Sequence, residues 1–267
     1  MQKYSCRERS ESWNPVTWDF FGPTYAINLI RSDNIVVKNS ALSETGIWCD
    51  SSSKNALICN NTLAFGTIFA SGLSTSILGN SIFQSKDVAI TVQGTDEATV
   101  AQNVLVNCDT GISLAYCSLT SVMYNTIKEC RCGIHLYKAN DNTLTQNNFI
   151  DNVQHIGEDH FGWPFTGSFT SVNTWDRNYW STYRGVDADG DGIGDTPYVV
   201  FEKITDYYPF MTIIDVPDVL VPVPDDPVKP FFKYSVAAVV VLIVGVGIIV
   251  SLFYFKKKQN NQKTPNP

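Results

Sequence analysis

Residues Asn125–Asn147, NTIKECRCGIHLYKANDNTLTQN, read as one turn of a coil, and the chain writes that turn about six times. An asparagine after a short apolar run marks each repeat: Asn39, Asn60, Asn80, Asn103, Asn125 and Asn147, at steps of 21, 20, 23, 22 and 22 residues. Three residues before each stands an apolar residue: Val36, Leu57, Ile77, Val100, Val122 and Leu144. About nine residues after comes a second column, Ile47, Ile68, Ile90, Ile112 and Ile134, often preceded by glycine. Two further on stand Cys49, Ala70, Val92, Leu114 and Leu136, alternating with Trp48, Phe69, Thr91, Ser113 and His135. The local period is two, which is the strand signature. Short strands separated by Asn, Gly and Ser corners at a constant long period form a stacked solenoid. Successive coils then lie about 4.8 Å apart, so that Ile and Val fall into dry columns and the asparagine amides into a ladder. A β-sandwich requires turns but not five near-equal steps with three phased apolar columns, and a leucine-rich repeat would fix Leu at set positions. The expected fold is all-β: a parallel β-helix of about six coils over residues 25–154.

A formal charge of −7 and a pI near 4.9, with no basic patch in the coils, argue against a nucleic-acid partner. Seven cysteines without a CxxC pair argue against a zinc site. Cys108 and Cys130 both fall five residues after their asparagine and should stack. A disulfide and a pair of small core thiols both remain open there, with the core role expected.

The flanks differ from the coils. Residues 1–24 hold no apolar h-region. Either further coils lie upstream, the preferred expectation, or Trp13, Trp18, Phe20 and Phe21 fold over the exposed first coil. Residues 155–214 are aromatic and Gly-rich and are expected to form a C-terminal cover. Residues 215–230, DVPDVLVPVPDDPVKP, read as a proline-stiffened stalk. A transmembrane helix is expected at residues 231–255, because Tyr234 to Phe255 carries no charge over 22 residues, about 33 Å of helix. Lys256, Lys257 and Lys258 follow, which places the tail, residues 256–267, in the cytoplasm and the coils outside.

NTWDRNYWSTYRGVDADGDGIGDTPYVV (residues 173–200), followed by DYYPFM, stands directly after the asparagine coils. In this the chain resembles, over about residues 25–211, the NosD-like right-handed β-helix proteins, the "copper-binding" and carbohydrate-binding/sugar-hydrolase type repeats common on archaeal cell surfaces. The resemblance implies a right-handed parallel β-helix and export. The family name spans several roles, so function must come from the site.

Asp187, Asp189, Asp191 and Asp195 stand at positions 1, 3, 5 and 9 of an EF-hand-type loop, with Gly192 at position 6 and the Ile193 carbonyl as a further ligand. Tyr198 replaces the bidentate glutamate at position 12, so either Asp176, Glu202 or Asp206 completes the shell or affinity is weak. Four neighbouring carboxylates repel unless a cation neutralises them, and the expected occupant is a structural Ca²⁺. Trp48 and Phe69, outward on adjacent coils, offer a ligand platform for polysaccharide or a surface protein, or else pack a neighbouring loop. A lyase or hydrolase would need clustered carboxylates. Asp87, Asp96, Glu97 and Asp109 are instead scattered, Arg31 and Arg131 are about four coils apart, and Asp50 and Glu129 share no evident face, so catalysis is not expected. Copper needs soft or imidazole ligands. Met1, Met123, Met211, His135, His155 and His160 form no cluster in sequence, so copper is not expected either. Asn60-Asn61-Thr62 is a glycosylation sequon, but with Asn60 read as a ladder residue little or no glycan is expected on it.

Overall fold

The computed structural model describes residues 25–158, 172–201 and 204–216. Within them the chain winds into a parallel β-solenoid of three sheets, and each coil contributes one strand to each sheet. Every sheet contains seven strands. Ile90 pairs with Ile68 on one side and Ile112 on the other, and Ile112 pairs with Ile134. All four are fully buried, so the predicted dry column exists. The glycine before Ile112 and Ile134 has a steric cause. A Cβ on Gly111 would lie 2.6 Å from the Gly133 carbonyl oxygen, and one on Gly133 would lie 2.5 Å from that of His155.

Sharp corners separate the strands, and one or two residues at each described corner take a positive φ. One corner column runs Asn39, Asn60, Gly79, Gln102, Tyr124, Gln146 and Arg177, with φ between 54° and 62°. Each coil's corner N–H donates to a carbonyl of the next coil, as from Asn60 to Leu78 (3.0 Å) and from Tyr124 to Gln146 (3.0 Å). Glycine and short polar residues tolerate this left-handed backbone best, but Gln, Tyr and Arg also occupy the column, and most of the repeated asparagines stand just after it.

The asparagine ladder is present, but its first rungs are shifted by one residue from the expected ones. It runs Asn61, Asn80, Asn103, Asn125, Asn147 and Asn178, with each Nδ2 donating to the next Oδ1 at 2.9–3.0 Å. Each Oδ1 also accepts the backbone N–H of the preceding rung, beginning at Ser40. Asn39 and Asn60 are exposed corner residues instead. The same slip moves the inward residues to Val37 and Ile58, while Val36 is 43% exposed. Adjacent strand positions face opposite sides, so one residue of register exchanges core for solvent.

The coils also continue past residue 154, where a separate cover was expected. Gln154–Glu158, Thr174–Asp176 and Tyr179–Trp180 are the strands of a further coil. Trp175 pairs with Leu144 and Trp180 with Phe149, all turned into the core. The Phe149 and Trp180 rings stack with centroids 4.2 Å apart and planes 5° from parallel.

The ladder then ends on a carboxylate. Tyr198–Phe201 and Ile204–Asp206 form an antiparallel pair. The buried Asp206 carboxylate accepts from Asn178 N–H and Nδ2, Trp180 Nε1, Arg177 N–H and Tyr208 N–H, at 2.8–3.1 Å. This residue supplies what a seventh asparagine would, without presenting a donor to another coil.

The six described cysteines are buried free thiols. Cys108 and Cys130 stack in neighbouring coils, with their thiols donating to Val106 O (3.5 Å) and Lys128 O (3.4 Å), and the adjacent Cys108 thiol together with burial pushes the Cys130 thiol up. Trp13, Trp18, Phe20, Phe21, His160, Glu202, the stalk and residues 231–267 lie outside the described residues. Among the described residues no helix is long and apolar enough to cross a membrane.

Candidate metal centre and outer face

Asp187, Asp189 and Asp191 come together as expected: one carboxylate oxygen of each lies within 4.8 Å of the others. The backbone explains why. Asp187 accepts the N–H groups of Gly190 (2.7 Å), Asp191 (3.2 Å) and Gly192 (2.9 Å). Asp189 accepts Asp191 N–H (3.3 Å), and Asp191 accepts Ile193 N–H (2.8 Å). Gly190 and Gly192 have φ of +78° and +86°, which lets the loop fold back on its own carboxylates. Asp195 closes the base by accepting Ala188 N–H at 2.6 Å. Three hard oxygen ligands in a tight loop suit a cation such as Ca²⁺.

Position 12 departs further from the EF-hand than the sequence implied. The Tyr198 hydroxyl lies 2.6 Å from Thr182 Oγ1, which in turn lies 3.0 Å from His155 Nε2. Among the acids considered for the remaining place, Asp206 is committed to the ladder and Asp176 is bound by Arg177 at 2.9 Å.

The loop is joined to the end of the solenoid. Gly194 N–H donates to Pro209 O (2.8 Å), and Met211 N–H donates to Gly192 O (3.0 Å). Phe210, between them, donates its N–H to Asn178 O at 3.0 Å. Four residues on, the Asn148 amide clamps Ile214, donating to its carbonyl at 2.9 Å and accepting its N–H at 2.8 Å. Asp loop, capping segment and last coils are therefore one hydrogen-bonded unit.

Trp48 and Phe69 lie where expected, paired on the outer face of the first sheet and half-buried, with the Tyr25 ring 6.2 Å from Trp48. Sequence reasoning missed a second aromatic cluster. Tyr116 and Tyr137 meet edge-to-face at 5.0 Å, with Lys138 Nζ 5.2 and 5.5 Å from their centroids. Two tyrosines one repeat apart were the available signal. Stacking also brings Asp109 and Arg131 into a bidentate pair (2.6 and 2.7 Å) that holds the Asp109 carboxyl below its ordinary range. The Asp50 carboxylate is bound by Ser52 and Ser53. His155 is buried against Phe149 and Trp180, and burial lowers its pKa, opposed by Asp151.

The family described as "Periplasmic copper-binding protein (NosD)" matches residues 10–185, more than half of the chain. The chain belongs to the NosD family. No curated protein matches this NosD-family chain. Among solved structures it is similar to HetL, a pentapeptide repeat protein involved in heterocyst differentiation regulation from the cyanobacterium Nostoc sp. strain PCC 7120. The identity is 13% over 58% of this chain and 90% of HetL, with a TM-score of 0.13, and the likeness carries no argument. Family membership agrees with a β-helix domain outside the cytoplasm. The family's description names copper, but the one group of three or more His, Cys, Asp or Glu ligands among the described residues is the all-oxygen Asp187/Asp189/Asp191 set. Copper favours sulfur and imidazole, so that set does not fit it.

Proposed function

We propose that this NosD-family protein is a non-catalytic binding or scaffolding module, anchored to the membrane through residues 234–255 with its coils outside. A structural Ca²⁺ on Asp187, Asp189, Asp191, Asp195 and the Ile193 carbonyl braces the end of the solenoid. The supporting observation is that the Asp loop is bonded to the segment 209–214, which is bonded in turn to Asn178 and Asn148. Fixing the loop therefore fixes the edge where the coil stack stops. The ligand, a glycan or a surface protein, would lie on the outer face of the first sheet, where Trp48 and Phe69 give flat apolar area. A lyase or hydrolase activity is the less favoured reading, because Asp109 and Asp50 are occupied by Arg131 and by serines.

Calorimetric titration of Ca²⁺ into the chelator-treated full chain in detergent, with thermal melts, tests the brace. The expected result is one site and a raised melting temperature, both lost in Asp189→Ala/Asp191→Ala. No heat and no stabilisation would remove the calcium reading and leave the binding role to be sought in glycan and protein screens.

A further inference from the structure

The shift of the ladder from Asn60 to Asn61 frees a group with chemistry of its own. Asn60-Asn61-Thr62 is the chain's one Asn-x-Ser/Thr sequence. Asn61, in the middle, is fully committed: its amide binds Val37 O and Asn80 Oδ1 and receives Ser40 N–H. Asn60 and Thr62, on either side, are both exposed. Neither side chain has a hydrogen-bond partner among the described residues. Asn60 sits at a corner with φ 54°, tied only through its backbone N–H to Leu78 O. The same corner in the following coil is Gly79, which has no side chain to crowd an added group. The pleat alternates, so the buried Asn61 separates two outward residues, and the amide and hydroxyl that define the acceptor sequence both reach solvent.

We propose that Asn60 is an asparagine-linked glycosylation site, modified when the chain meets a lipid-linked oligosaccharide outside the cytoplasm. The inference rests on the extracytoplasmic placement of the β-helix and is independent of calcium and of the Trp48 face. In the transfer, Asn60 Nδ2 attacks the anomeric carbon of a lipid-phosphate-linked oligosaccharide. A C–N bond forms as the C–O bond to phosphate breaks. The lipid phosphate leaves with the bonding pair, and the amide nitrogen gives up one proton. No oxidant or reductant is needed. The Thr62 hydroxyl is the second recognition element. A glycan there projects from the corner between the second and third sheets and keeps that side of the second coil from lying flat against another surface.

The test produces the full chain behind a cleavable export signal in a host that transfers glycans to Asn-x-Ser/Thr, reading occupancy only on molecules from which the signal has been removed. The expected result is an intact mass above the 29.7 kDa polypeptide by one glycan, mapped to the Asn60 peptide. It should be lost in Asn60→Gln and Thr62→Val and kept in Thr62→Ser. Asn60→Gln should fold normally, because Gln102 and Gln146 occupy the same corner in later coils. Exported, signal-free chain with a normal thermal melt and an unmodified Asn60 peptide would overturn the proposal. So would a glycan that persists in Asn60→Gln.

Discussion

Asn60 and Asn61 are neighbours with opposite duties, and substitution separates them. In Asn61→Ala the backbone N–H of Ser40 loses its acceptor and Asn80 Oδ1 loses one donor inside the stack. An unsatisfied buried polar group costs about 1–3 kcal/mol, so denaturant melts should show a loss of that size. Asn60→Gln should stay within about 0.5 kcal/mol of the parent, as ordinary surface changes do. His155 carries a pH dependence at the same scale. Burial lowers its folded-state pKa from the ordinary 6.5. The unfolded chain therefore takes up the proton first as pH falls, and stability decreases with falling pH below about 6.5. The full contribution is present above that value. Thermal melts from pH 8 to pH 5 should show a decline that is shallower in His155→Gln.

At the scale of elements, the end of the ladder carries the largest expected effect. Asp206→Ala leaves five donors around Asn178 and Trp180 without their acceptor. The loss should be about 3 kcal/mol or more, measured by chemical denaturation. It should exceed the loss in Asn125→Ala, whose neighbouring rungs retain other partners. The elements also show how far the sequence could be read. The inward isoleucines and the later rungs were legible because packing forces like residues to stack at a constant step. The first two rungs were not, because KNS and CNN each place two polar residues side by side, Asn39-Ser40 and Asn60-Asn61, at the corner. Only backbone pairing decides between Asn60 and Asn61. The last coil was hidden by its 31-residue step from Asn147 to Asn178, although Trp175 precedes Asn178 by the same three residues as Leu144 precedes Asn147. The Asp loop was legible because acids alternating with glycines at a fixed spacing bring their carboxylates together. Its attachment to residues 209–214 was not, since backbone hydrogen bonds between distant segments leave no mark on side-chain identity.

At the scale of the molecule, each coil bonds only to the one before it and the one after it, so stability accumulates along one axis. Among the described side chains every acidic one except the buried Asp206 is at least partly exposed, and the coil interior is apolar. The step of 31 residues at the last coil has a consequence for how such a chain can change. Asn147 and Asn178 bond as closely as rungs 22 residues apart, at 3.0 Å against 2.9 Å for Asn125 and Asn147. Register is therefore measured across the stack and not along the chain. A corner can take in extra sequence without disturbing the coils on either side, whereas one residue added inside a strand would turn a column of isoleucines out to water. The corners are the places where a lineage can graft new surface onto an unchanged frame, and the strands are where it cannot edit at all.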